Sequence, residues 1–257
     1  MMQGMNKAFS GSSVCRRKFP QARGARDATN VIRSEGLATT VITTIGKEHM
    51  NALGGSLENI AIAKSGIIKQ RCPVVLGGPF EPHIEYILRN RAALMNAPVI
   101  SSFGPGIHGT ITKLDSTESQ PCQYADILIK LDENDPNTII ELFGVRLRML
   151  GYHQLQNAIT AICTAICLRG QGWRISDDSI RAGLEGTYLL GRCQFLTPAQ
   201  AKMLGVDGAT IILDGAHTEA SVKALASTIR MAFPDKAKTK AHIPHEESTT
   251  GSQLSAF

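Results

Sequence analysis

From Leu155 through Ala158, Ile159, Ile162, Cys163, Ile166 and Cys167, apolar residues return at i, i+3, i+4, i+7, i+8, i+11 and i+12. That is the period of a helix with one buried face, and Gly170 is expected to close it. Cys163 and Cys167 lie on the stripe and are expected to pack rather than react. Weaker helical patterns cover residues 81–95, 176–184 and 221–231, the second opening at Ser176 with Asp177 and Asp178 in its first turn. Between them lie β-branched or apolar runs that read as strands: Ala38 to Ile45, Cys72 to Leu76 ending in Gly77-Gly78, Pro98 to Ser101, and Ala209 to Leu213. Strand, helix, strand, helix, strand in this rhythm predicts an α/β fold with a mostly parallel sheet flanked by helices. Residues 103–124, rich in Gly, Pro, Ser and Thr, read as a surface excursion. Alternation over 126–131 and 138–150, around the turn Glu133-Asn134-Asp135-Pro136-Asn137, predicts an appended antiparallel hairpin.

One short helix departs from the simple pattern. Ser56 can cap it, Glu58 complements its positive end, and Gly66 is expected to end it in the left-handed conformation. Leu57, Ile60 and Ala61 mark its apolar face, and Lys64 falls on that same face. An ammonium drawn out of water has a lowered pKa, so the amine becomes a nucleophile or a carbamate former; the alternative is a stem that covers apolar surface while its head stays wet. His49 lies just past the carboxyl end of the preceding strand, where open α/β sheets collect ligands. The alternative there is a solvated loop histidine. His153, Gln154 and Asn157 occupy the first turn of the long helix, where backbone N–H groups favour anions and polar ligand groups, or where they merely cap it. Asp214 and His217 stand at the carboxyl edge of the last strand, ahead of the final helix.

Composition removes some classes. Lys and Arg number 27 against 22 Asp and Glu, but the first 26 residues carry six of the cations and no acid, so the remainder is close to neutral. With 5% aromatic residues and no basic stripe, a nucleic-acid module lacks support. No apolar run approaches the ~20 residues that cross a bilayer. Six cysteines without a CxxC or zinc spacing read as reduced thiols of an intracellular protein. The acid-free start reads as an organellar presequence or a disordered leader, and the aperiodic stretch after Pro234 as a disordered tail. No internal repeat is visible.

Four motifs in order resemble the folate ligases, dihydrofolate synthase and folylpolyglutamate synthase, within the wider Mur ligase family. They are Asp27-Ala28-Thr29-Asn30; the block from Ile42 to His49 running into Leu57 to Lys69; Gly151-Tyr152-His153-Gln154-Leu155-Gln156-Asn157-Ala158; and Gly191-Arg192 with Asp214-Gly215-Ala216-His217. Thr218 after the last histidine most resembles the plant dihydrofolate synthases. The resemblance implies a leader over 1–23, a Mur ligase-like central domain over 24–190, the start of a C-terminal ligase domain over 191–235, and a tail over 236–257. It implies ATP-dependent joining of L-glutamate to dihydropteroate or a folate through an acyl phosphate, with ADP released.

The same resemblance assigns roles. His49 would be a magnesium ligand and Lys64 a carbamylated lysine supporting a second metal site, with catalysis resting on Lys64, His49 and His217. Asn157 would sit near the adenine, with His153 and Gln154 shaping that pocket. Arg192 and Asp214 would bind phosphate and ribose, His217 would reach the terminal phosphate, and Asp27 and Asn30 would belong to the pterin and metal side. The implied cofactors are ATP and Mg2+, with K+ as a further candidate. The implied partners are small molecules only, with no nucleic acid or membrane, and a monomer is expected in mitochondria or cytoplasm. The family's GTNGKGS-type phosphate loop has no counterpart here, nor does its metal-binding glutamate before DATN. The chain is therefore expected to be truncated at both ends and impaired, and the alternative is a non-catalytic fragment or isoform of such a ligase.

Overall fold

The computed structural model describes residues 32, 34–46, 55–115, 120–206 and 208–233. Three short strands, β1 (Thr40–Ile42), β2 (Val74–Leu76) and β3 (Val99–Ser101), pair in parallel in that order, with Thr40 opposite Val74 and Val74 opposite Val99. Helices α1 (Leu57–Ser65) and α2 (Pro82–Leu94) are the crossovers, and they bury Ala61, Ile84 and Leu88 with Ile42, Val74 and Leu76. Val74, Val75 and Leu76 are fully buried, as expected of a parallel strand covered on both faces. The expected α/β class is thus observed, but each strand is three residues long where the β-branched runs are longer. The ladder stops where Gly77 N–H donates to the Ile42 carbonyl and the chains turn away.

Residues 103–124 are not the surface excursion expected from their composition. They contain β4 (Ile107–Asp115), which pairs antiparallel with β5 (Cys122–Lys130), and β5 pairs with β6 (Ile139–Leu147). The appended unit is a three-stranded sheet with β5 at its centre. β4 is an edge strand, exposed along most of its length, so it shows little alternation. Its inward position Gly109 has no side chain because a Cβ there would lie 2.7 Å from Ile159 Cδ1 of the long helix.

That helix, α3 (Tyr152–Gly170), is shared by the two sheets. Leu155, Ile159, Ile162, Cys163 and Ile166 pack with Ile127 and Ile129 of β5, and the same cluster includes Val75 of β2. The predicted stripe is therefore the buried face. α4 (Asp177–Gly186) is capped by Ser176 as expected and lies on β6, with Ile180 and Leu184 buried. Two helix ends differ from expectation. Gly66 has φ −58°, and the chain tightens there through Ile67 N–H to Lys64 and Ile68 N–H to Ser65. Gly170 is still helical, and the left-handed glycine is Gly172, φ +89°.

The last part carries β7 (Gln194–Phe195), α5 (Pro198–Met203), β8 (Ile212–Leu213) and α6 (Glu219–Ala232). β8 is shorter than the run 209–213 and pairs antiparallel with β7, an element too short to show a period. Leu150, Cys193, Phe195 and Ala232 form a small separate core. The five described cysteines are buried free thiols. No described helix is long and apolar enough to cross a membrane. The leader over 1–23 and the tail over 236–257 lie outside the described residues.

Candidate functional site

The carboxyl ends of β1, β2 and β3 converge on α3. Gly77 packs so tightly that an added Cβ would lie 2.5 Å from the Thr43 carbonyl oxygen. Its own carbonyl accepts hydrogen bonds from Ser102 Oγ at 2.9 Å and from Gln156 Nε2 at 2.9 Å. Gln156 Nε2 also reaches the Ser102 carbonyl at 3.0 Å, and Ser102 Oγ pairs with Thr160 Oγ1 at 2.9 Å. The strand ends and the second turn of α3 are thereby joined by a buried polar network.

Lys64 reaches this edge from α1. Its Nζ donates to the Thr44 carbonyl at 3.3 Å, just beyond β1. The lysine is half-buried, so the expectation of an amine on the buried face is corrected: Ile60 and Ala61 take the interior, and Lys64 lies at the border of the stripe with its head at the sheet edge. His49, Asp27 and Asn30 fall outside the described residues. Among the described residues no three His, Cys, Asp or Glu side chains gather as a metal site.

The second half of the site surrounds the start of α3. Gly151, φ +107°, leads into the helix, and a Cβ there would lie 2.8 Å from the His153 ring and 2.5 Å from Thr228 Oγ1 of α6. His153, Arg192 and Asp214 lie close enough to influence one another electrostatically. His153 is exposed over part of its surface, but its ring packs against Gly151, and this partial desolvation holds it below its usual 6.5; the Asp214 carboxylate pulls the other way, and the Arg192 guanidinium adds to the depression. Asp214 ties the loop together, its Oδ2 accepting from Cys193 N–H and its Oδ1 from Ala216 N–H, both at 2.7 Å. Gly215 N–H donates to the Gly191 carbonyl at 2.9 Å, which fixes the Arg192 loop against the Asp214 loop. Arg192 and His217 are exposed, and His217 Nδ1 lies 2.9 Å from the Gly215 carbonyl.

Gln154 and Asn157 point elsewhere. Asn157 Nδ2 donates to Gln154 Oε1 at 3.1 Å, and the pair lines a cleft with Leu147, Arg148, Met149 and Thr187. His153 instead borders a hollow with Thr228 and Met231 of α6. The structure therefore separates two groups that share one turn of sequence: an amide cleft and an Arg192–Asp214–His153 face. Gln123, Ser102 and Gln156 are structural members of the site that sequence periodicity does not single out. Gln156 sits inside a motif but at a position with no apolar or charged signal of its own.

No family model matches the chain. Over 219 residues, 84% of its length, it is 32% identical to the dihydrofolate synthase/folylpolyglutamate synthase of Bacillus subtilis. It spans 44% of that relative's length. Among solved structures, folylpolyglutamate synthase from Thermotoga maritima matches 83% of the chain with a TM-score of 0.62 at 25% identity, over 42% of that structure. The FPGS–AMPPCP–folate complex matches 83% of the chain with a TM-score of 0.64 over 46% of that structure, and its 22% identity speaks for the fold alone. The architecture is accordingly that of a Mur ligase-like α/β protein. Within that class, the chain belongs to the dihydrofolate synthase/folylpolyglutamate synthase family.

Proposed function

We propose that this chain belongs to an ADP-forming amide ligase that joins L-glutamate to dihydropteroate or a folate. The γ-phosphoryl group of ATP passes to the acceptor carboxylate and ADP leaves. The glutamate amine then attacks the acyl carbonyl, phosphate departs, and the amine proton is lost to solvent. The observation that carries this reading is the meeting, at the first turn of α3, of the Arg192–Asp214 loop with His153 on one side and the Gln154–Asn157 amide cleft on the other. Such a junction offers a planar amide pair to a base and a guanidinium to phosphate.

Ligases of this family use Mg2+ with ATP, and when bound the ion neutralises charge on phosphoryl oxygens. The described residues supply no carboxylate cluster for it, and Lys64 presents its amine to a carbonyl. In this proposal Lys64 and Thr44 shape the edge where the acceptor carboxylate meets the phosphate, together with His49. Arg192 holds phosphate, Asp214 positions the arginine loop, and His217 reaches the terminal phosphate. Asp27 and Asn30 serve the pterin side. The protein works as a monomer in the cytoplasm or mitochondria.

Calorimetric titration with AMPPCP tests the reading. Binding is expected, and Arg192→Ala is expected to weaken it roughly tenfold, the worth of one charge-assisted contact. AMPPCP binding that Arg192→Ala leaves unchanged would overturn the placement of phosphate. Because no GTNGKGS-type loop lies within the 257 residues, release of ADP dependent on dihydropteroate and glutamate is expected to be severely impaired in this chain by itself.

A further inference from the structure

Gln123 is a polar side chain with no exposed surface, in the central strand of the antiparallel sheet. It spends both ends of its amide on one residue: Gly151 N–H donates to Gln123 Oε1 at 2.9 Å, and Gln123 Nε2 donates to the Gly151 carbonyl at 3.2 Å. Gly151 N–H is one that helix geometry leaves without a partner at the start of α3, and its carbonyl also accepts the first helical bonds, from Gln154 and Leu155. The opposite side of Gly151 is closed by the His153 ring and Thr228 Oγ1, within 2.8 Å of where a Cβ would stand. Thr228 is buried in turn, with its hydroxyl bonded to the Ala224 carbonyl at 2.9 Å. The residue that launches α3 is thus gripped from the sheet and walled in from α6.

We propose that Gln123 is a positioning residue for the nucleotide site: by holding the Gly151 peptide it sets the direction of the first turn of α3, and with it the placement of His153 against Arg192 and of Gln154 and Asn157 in their cleft. The proposal rests on the nucleotide reading above, but the grip itself is independent of it. Gln123 touches none of the ligand-facing atoms. It acts through the backbone, because rotating one peptide at a helix start swings the side chains that follow.

Gln123→Met keeps the volume and removes both hydrogen bonds, leaving Gly151 N–H and C=O with one partner fewer in a dry site. The comparison variant is Val145→Ala, a core deletion in β6 that is fully buried and pairs with Ala125 rather than with Gln123, so it leaves both Gly151 bonds in place. Both variants are expected to lower the melting temperature. Only Gln123→Met is expected to shift the His153 Cε1–H resonance, move its titration midpoint up toward 6.5 as the ring gains water, and weaken AMPPCP binding about tenfold. If Gln123→Met and Val145→Ala give the same His153 resonance and midpoint as the unaltered chain, the positioning role is wrong. If the unaltered chain binds no AMPPCP, the functional reading fails, while the His153 resonance still decides the grip. Should Gln123→Met not fold, Gln123→Asn, whose amide is one methylene too short to hold both Gly151 groups, is read by the same two signals. An unshifted His153 in that variant likewise overturns the proposal.

Discussion

His153 carries the clearest electrostatic signature among the candidate site residues. Its folded-state pKa is depressed below 6.5 by partial desolvation of the ring, so between that folded value and 6.5 the unfolded chain binds more protons than the folded one. Stability should then be complete above about pH 6.5 and fall as the pH drops through the folded value. His153→Gln is expected to flatten that part of the curve, measured as urea midpoints between pH 7.5 and 5. The glycines separate in a similar way. Gly77→Ala places a methyl group against the Thr43 backbone, 2.5 Å from its oxygen, and is expected to cost roughly 2–3 kcal/mol because backbone must move. Gly170→Ala meets nothing within 4 Å inside a helical turn and is expected to stabilise by about 0.5–1 kcal/mol. Denaturant titrations of the two variants check both signs.

At the scale of elements, α3 is the piece that both sheets use, and the Gln156–Ser102–Gly77 network locks it to the parallel strands. Gln156→Leu removes the donor and leaves two carbonyls short of a partner. A loss of about 1–3 kcal/mol is expected, with faster hydrogen exchange at Ser102 and Gly77 than at β5. The apolar period of α3 was legible because its buried face spans the whole helix, and the caps of α1 and α4 were legible because Ser56 and Ser176 act within three residues of themselves. β4 was not legible: an edge strand with one covered face and a glycine where α3 approaches carries almost no alternation. β7 and β8 were hidden for another reason, since two residues of pairing hold no period at all. Gly66 shows a further limit, as a glycine permits the left-handed turn without requiring it.

Across the whole molecule the cores differ in size, and the cysteines report on them. Cys163 sits in the large cluster under α3 and Cys193 in the small C-terminal one, and burial pushes both thiols up to about 12. Neither is expected to react with a thiol reagent at pH 8 in the folded protein. In rising urea Cys193 should label before Cys163, because a core of four buried residues opens at lower cost than one of eighteen. Mass spectrometry of the labelled peptides checks the order, and simultaneous labelling would show one cooperative unit. What these residues determined unaided was local and repetitive: the α/β rhythm, the stripe of α3, the serine caps at the starts of α1 and α4, and the ordered motifs that mark a folate ligase. Tertiary structure decided how those pieces meet, including the sharing of α3 between two sheets, the grip of Gln123 on Gly151, and the parting of Gln154 and Asn157 from His153. Periodicity records which face of an element is dry. It does not record which other element covers that face, because that contact is made by residues distant in the chain and satisfied only when the backbone is closed around them.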